Sequence, residues 1–346
     1  MRHLQTVQRP AETRSTAFII TMRLILFGLI ILFSSFLVLG QETPQKTPLQ
    51  KQDNKDFTLS VDVELVQLPI SVLDKEGRPV DNLNKDHFQI FEDNVQQQIK
   101  LFKHEDIPLS LGLVIDNSGS MRNKRERVNS AALSFVRESN PEDETFIVNF
   151  DDAAYLEQDY TGSIGDLIDA LDNLDTRGET ALYDAVYLSV DHAKAGKKDK
   201  RALLLISDGE DNISKYGFNK ALEALRESKV TLYAIGLLEE NDQRGGLFRK
   251  PPSKKAKEAL EKFAEVTGGQ AFFPRSLDEV EELVKTIAHD LRNHYTIGYT
   301  PTNRKLDGSW REVRVKVNPP KNVPKVTVHT KQGYYAPGAE PVSSNR

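Results

Sequence analysis

From residue 109 onward, short continuous apolar runs alternate with stretches whose apolar residues recur at helical spacing. The runs are Leu109–Asp116 (LSLGLVID), Glu144–Phe150 (ETFIVNF), Ala202–Ser207 (ALLLIS) and Val230–Gly236 (VTLYAIG). An uninterrupted run of this kind predicts a parallel strand covered on both faces. Between the first two, Val128, Ala131, Ala132, Phe135 and Val136 predict an amphipathic helix. Ala181, Leu182, Ala185 and Val186 predict a second helix, and Phe218, Ala221, Leu222 and Leu225 a third. Leu260, Phe263 and Ala264 mark another, followed by a short strand at Gln270–Phe273. Val280, Leu283, Val284, Ile287 and Leu291 mark the last. Repeated βα units predict an α/β fold: a doubly wound, mostly parallel sheet with helices on both faces.

On either side of this region the period changes from helical to alternating. Leu59, Val61, Val63 and Leu65 share one face of a strand, with Ser60, Asp62 and Glu64 on the other. Pro69–Leu73 leads into a turn at Asp74–Gly77, and Phe88–Phe91 and Ile99–Phe102 flank Glu92–Asn94 as in a hairpin. Tyr295–Tyr299, Glu312–Val317 and Lys325–His329 read as further strands. Neither flanking piece alone buries much surface, so the two are expected to pack together as a small antiparallel β unit. The resulting organisation is a β segment at 57–104, the α/β region at 105–292, β strands at 293–335 and a frayed tail at 336–346. Residues 41–56 (QETPQKTPLQKQDNKD) are polar and Pro-containing, which predicts a disordered linker.

The N-terminus adds an expectation about location. Arg23 precedes an apolar run, Leu24–Leu39, and Val38 and Gly40 suit the −3 and −1 positions of a cleavage site. Residues 1–40 therefore read as a secretory signal peptide, or as an uncleaved anchor if Ala17–Ile20 extend the run. Met22 offers a second translation start. Either form predicts export to the periplasm, the exterior or the envelope, with membrane contact only through such an anchor. The chain has no Cys, which excludes disulfides, thiolate zinc sites, cysteine nucleophiles and the lipidated cysteine of a bacterial lipoprotein. A net charge of −5 and a pI near 5.9 give no support to nucleic-acid binding.

Three separated segments carry the candidate chemistry. Asp116-Asn117-Ser118-Gly119-Ser120 ends the first strand of the α/β region, Gly178-Glu179-Thr180 precedes a helix, and Ser207-Asp208-Gly209-Glu210-Asp211-Asn212 ends the third strand. Loops at the carboxyl ends of strands form the binding edge of an open α/β sheet. Taken alone, the first segment reads as a helix N-cap and the third as a turn. Their joint occurrence, in this order and on strand ends, points instead to a metal site. Other chemistries lack their signatures. The nucleophile elbow of a hydrolase is missing, the His residues form no ligand pair, and no phosphate loop with its Lys occurs. Asp151-Asp152, after the second strand, reads as a solvated acidic turn in preference to a group tuning a metal through water.

The D-N-S-G-S, G-E-T and S-D-G-E-D-N segments resemble the metal-ion-dependent adhesion site of von Willebrand factor A domains. The resemblance covers roughly residues 105–292. Together with the flanking β segments, it extends to the exported VWFA-related proteins of acidobacteria. It implies a six-stranded sheet with one antiparallel edge strand. It also implies that Ser118, Ser120 and Thr180 bind a metal, with Asp116 and Asp208 acting directly or through water.

Mg²⁺ suits such a donor set, since it takes octahedral oxygen ligands and retains waters, with Mn²⁺ or Ca²⁺ as alternatives. Neutral hydroxyls beside only two carboxylates leave positive charge on the ion, which then seeks an Asp or Glu from a partner protein. The expected function is an exported, non-enzymatic adhesion or scaffold module. Alternatives are a metal-stapled scaffold that binds through the flanking β domain and a metal-assisted hydrolase; the latter lacks an evident general base. Arg244, Arg249 and Lys250, in a long loop following the fourth strand, read either as contributors to partner selection or as charges of a solvated flexible loop.

Overall fold

The computed structural model describes residues 65–104, 106–138, 140–172, 177–238, 252–320 and 325–338. The signal or anchor at 1–40, the linker at 41–56, the strand positions Leu59–Val63 and the loop bearing Arg244, Arg249 and Lys250 lie outside the described residues.

The α/β region is built as its apolar pattern predicts. Strands β5 (Leu109–Asp116), β6 (Glu144–Phe150), β7 (Ala154–Thr161), β8 (Lys200–Ser207), β9 (Val230–Gly236) and β10 (Ala271–Phe272) form one sheet in the order β10-β9-β8-β5-β6-β7. All neighbours are parallel except β7, which runs antiparallel to β6 at the edge. Helices α1 (Arg125–Arg137), α2 (Ile164–Asp172) and α6 (Val280–Asn293) pack on one face. Helices α3 (Leu182–His192), α4 (Phe218–Glu227) and α5 (Pro252–Thr267) cover the other. Every residue of β5 is buried, which is why LSLGLVID shows no alternation. Among the described residues no helix is long and apolar enough to cross a membrane.

The chain leaves β5 toward β6 on one side and later returns to β8 on the other, so strand order reverses at β5. In such a sheet the crevice beyond the carboxyl ends of the strands, at this reversal, is where ligands bind. Asp116 ends β5 and Ser207 ends β8, which places two of the three candidate segments there. The antiparallel edge strand implied by the resemblance is β7, but the apolar periodicity marks neither its position nor helix α2. The strand AYLEQDYT is largely solvent-facing and carries no apolar run to mark it.

The flanking segments interleave into two four-stranded antiparallel sheets. One has the order β13-β1-β11-β4, from β1 (Val66–Leu73), β4 (Ile99–Lys103), β11 (Tyr295–Tyr299) and β13 (Thr327–Thr330). The other has the order β14-β12-β2-β3, from β2 (Phe88–Glu92), β3 (Val95–Gln97), β12 (Trp310–Val317) and β14 (Gly333–Tyr335). Leu68, Ile70, Tyr295 and Ile297 of the first share a core with Phe88, Ile90 and Val313 of the second. The expected pairing of Phe88–Phe91 with Ile99–Phe102 does not occur. Asp93 and Asn94, at φ 46° and 68°, form a tight two-residue turn that pairs β2 with β3. After Gln98 the chain crosses to the opposite sheet, where β4 pairs with β11.

Gly112, in the middle of β5, is a packing requirement. A Cβ there would lie 2.3 Å from Phe146 Cζ and 2.4 Å from Leu203 Cδ2, so its absence lets β6 and β8 close their side chains across β5. Overpacking a dense core typically costs about 1–3 kcal/mol. Gly112→Ala is expected to lower stability by about that amount, read as a reduced urea midpoint with an unchanged slope.

Candidate metal centre

The five oxygen-bearing residues predicted from sequence lie on the edge formed by the carboxyl ends of β5 and β8. Asp116 is 1% exposed, and its carboxylate is held from two directions. Oδ1 accepts the Ser118 backbone N–H at 2.9 Å, and Oδ2 accepts the Ser207 hydroxyl at 2.6 Å. Burial pushes the Asp116 carboxyl up to about 6; the Ser207 and Ser118 hydrogen bonds pull the other way, and the charge of Asp208 adds to the rise. Among the described residues no basic side chain is in ion-pair contact with Asp116.

From Asp116 a chain of side-chain oxygens runs outward. Ser118 Oγ lies 3.1 Å from Ser120 Oγ, and the Ser120 hydroxyl donates to Asp208 Oδ1 at 2.7 Å. Ser118 occupies the N-cap position of the 3-10 turn Gly119–Met121 but makes no side-chain cap hydrogen bond there, which leaves its hydroxyl to the oxygen chain. The second oxygen of Asp208 accepts a hydrogen bond from Lys124 Nζ, a partner that the sequence reading did not single out.

Thr180 is brought in by a separate set of contacts. Its backbone N–H donates to Asn212 Oδ1 at 2.9 Å, and its carbonyl accepts the Asn212 N–H at 3.1 Å. Its Oγ1 faces Gly209, where a Cβ would lie 3.4 Å away, so the hydroxyl sits beside the Asp208 loop. The preceding Gly178 has φ +72°, a left-handed conformation, and its carbonyl accepts the Gly119 N–H at 3.1 Å. Asp152 accepts the Glu179 N–H at 2.7 Å. Asp151 is buried, and its carbonyl accepts the Ala181 N–H at 2.8 Å. Asp151-Asp152 is therefore not the freely solvated turn expected from sequence. It braces the loop that presents Thr180, and the sequence carried no signal for those backbone contacts beyond the position of the pair after β6.

The donor set suits a small hard cation. Ligand oxygens about 2.0–2.1 Å from an octahedral Mg²⁺ stand about 2.9 Å apart along each edge. The separations Ser118 Oγ–Ser120 Oγ and Ser120 Oγ–Asp208 Oδ1 bracket that value. Ser118, Ser120 and Asp208 could thus hold such an ion with Thr180 adjacent, while Asp116 aims Ser118 and supplies charge. Among the described residues no group of three or more His, Asp or Glu is arranged to hold a metal, so this candidate rests on its hydroxyls.

Residues 111–210 match the model of the von Willebrand factor type A domain. The match contains all five positions, from Asp116 to Asp208. An uncharacterised protein of Synechocystis sp. is 30% identical over 138 residues, covering 38% of this chain. The chain matches only 32% of that relative's length. Among solved structures, an aerotolerance-related membrane protein from Bacteroides fragilis aligns with 53% of this chain and 98% of its own, at 16% identity and a TM-score of 0.42. Proximal thread matrix protein 1 from the mussel byssus, described with a zinc-occupied MIDAS motif, aligns over 58% of this chain and 49% of its own, at 18% identity and a TM-score of 0.45.

Asn212 tests how Thr180 is held. Asn212→Ala removes the acceptor for the N–H of a residue that is 5% exposed, and an unsatisfied buried donor costs about 1–3 kcal/mol. Faster amide hydrogen exchange at Thr180, with little change at β5, is the expected result.

Proposed function

We propose that this chain is an exported, divalent-metal-dependent binding module whose metal coordinates a carboxylate of a partner protein. The observation that carries this reading is the run Ser118 Oγ, Ser120 Oγ and Asp208 Oδ1, spaced at 3.1 and 2.7 Å on the carboxyl edge of the sheet. The match of residues 111–210 to the type A domain supports it. A bound Mg²⁺, Mn²⁺ or Ca²⁺ would supply a Lewis-acidic position open to one carboxylate oxygen from outside.

The protein's own residues prepare that position. Ser118, Ser120 and Thr180 offer neutral hydroxyl oxygens, and Asp208 offers a carboxylate whose side chain is 1% exposed. Asp116, fixed by Ser118 and Ser207, orients the first hydroxyl and contributes buried negative charge. The role assigned is binding and not catalysis. Export follows from the reading of Arg23 and Leu24–Leu39 as a signal or anchor. Arg244, Arg249 and Lys250 remain proposed contributors to partner choice, through acidic residues around the coordinated carboxylate.

A second reading has one observation in its favour. Trp310 and Tyr335 are 36% and 42% exposed and stack edge-on, with ring centroids 5.0 Å apart, on the β unit. Such a pair suits a scaffold that contacts its partner away from the metal.

Affinity capture from a cell-envelope fraction separates the two. Partners retained in Mg²⁺, released by chelator and absent with Asp116→Ala are the expected outcome. Retention that survives chelator and Asp116→Ala, but is lost with Trp310→Ala, would show that the β unit makes the contact.

A further inference from the structure

Lys124 stands where a helix disfavours it. It occupies the N-cap position of α1, where Ser, Thr, Asp or Asn would satisfy a free backbone N–H, and it makes no such side-chain cap. A cation at a helix N-terminus is also opposed by the helix dipole. Its side chain is only 17% exposed and turns toward the rim of the sheet. There the ammonium donates to Asp208 Oδ2 and, at 3.4 Å, to the carbonyl of Leu237 just beyond β9. The other Asp208 oxygen, Oδ1, is the one that accepts from Ser120. One buried carboxylate therefore faces the candidate metal position on one side and a tethered ammonium on the other.

Resting on the metal reading above, we propose that Lys124 is the specificity-determining counter-ion of this site. Its charge neutralises Asp208 before any metal arrives and weakens the site's hold on a divalent cation. It also leaves the loaded site positive. Asp116 and Asp208 contribute −2 and Lys124 +1, a sum of −1, so a divalent ion brings the total to +1. That surplus is what one incoming carboxylate neutralises. Without Lys124 the two carboxylates would cancel a divalent ion, so the positive charge expected from the donor set alone arises only with Lys124 present. Lys255, paired with Glu210 at 2.6 Å, and Arg177, 3.6 Å from Asp151, engage neighbouring carboxylates and do not substitute for Lys124 on Asp208.

The test is titration calorimetry of the full chain with Mg²⁺ and with Mn²⁺, comparing the wild type with Lys124→Met, Lys124→Gln and Lys124→Arg. Removing a unit positive charge one carboxylate away from a divalent ion is expected to tighten binding by about ten-fold or more at low salt. Lys124→Arg, which keeps the charge, should retain wild-type affinity; a role in packing alone would not separate the variants this way. Thermal melts with and without Mg²⁺ provide a second readout. The neutral variants should melt lower than wild type without metal, because Asp208 loses its counter-ion, and should gain more from added Mg²⁺. Equal or weaker metal binding by both neutral variants, with the wild type still binding, would overturn the role of Lys124 and leave the metal site standing. Absence of Mg²⁺ and Mn²⁺ binding by the wild type and every variant would overturn both.

Discussion

Burial of the Asp116 carboxylate at the end of β5 obliges the surrounding chain to supply it with hydrogen bonds, because an unsatisfied buried polar group is expensive. Its donors come from two places, the Ser118 N–H just after β5 and the Ser207 hydroxyl at the end of β8. Satisfying one side chain thereby fixes two strand-end loops relative to each other. Ser120 and Asp208, which belong to those loops, meet at 2.7 Å as a consequence. The third segment is tied in through backbone contacts from Gly178 to Gly119 and from Thr180 to Asn212. The Ser118 and Ser120 hydroxyls are placed by the buried strand β5, whereas Thr180, between two helices, is placed by those contacts with the strand-end loops.

The charges on this edge are unequal in weight. The Glu210–Lys255 and Asp151–Arg177 contacts each include a substantially exposed basic partner, and exposed ion pairs contribute little after screening. The Lys124–Asp208 pair is different, with both side chains largely withdrawn from water. Removing one member of such a pair strands the other, so the pair orders the loops and sets the local electrostatics together. Asp116, by contrast, is held by neutral donors. Asp208 is thus in ion-pair contact with a withdrawn ammonium, whereas the hydrogen-bond donors that hold Asp116 are neutral.

The β unit is joined to this platform through the far ends of the same elements. Helix α6 runs directly into β11, and Asp290 near its end accepts hydrogen bonds from Ser71 of β1 and Tyr233 of β9. Burial raises the Asp290 carboxyl above its usual range, the Ser71 and Tyr233 hydrogen bonds partly offsetting it. One side chain thus links the helix, the central sheet and the flanking sheet. His104 and the carbonyl of Asn293, 2.9 Å apart, tie together the two points where the chain passes between the units. Lys331 reinforces the junction by donating to the carbonyls of Arg226, in the last turn of α4, and of Ser228 just after it.

Strand-long apolar runs such as LSLGLVID and VTLYAIG were sufficient to read the parallel sheet, because a strand covered on both faces must be apolar throughout. The oxygen-bearing segments were legible for a related reason: Asp116 and Asp208 follow those runs directly, so their place at strand ends was already implied. The position of edge strand β7 was not legible in the apolar pattern, because a strand exposed to solvent has no burial requirement to write into its sequence. The partner of Phe88–Glu92 was misread, because the left-handed turn at Asp93-Asn94 selects β3, while the choice of sheet for β4 depends on β11, almost two hundred residues away. Lys124 was invisible for the same kind of reason. A lysine before a helix reads as a solvated charge until folding brings the ends of β8 and β9 to its ammonium. Local pattern determined which residues are buried and which loops carry oxygen atoms. Tertiary structure alone decided which of those atoms meet and which charge balances them, because both depend on distances between segments far apart in the chain.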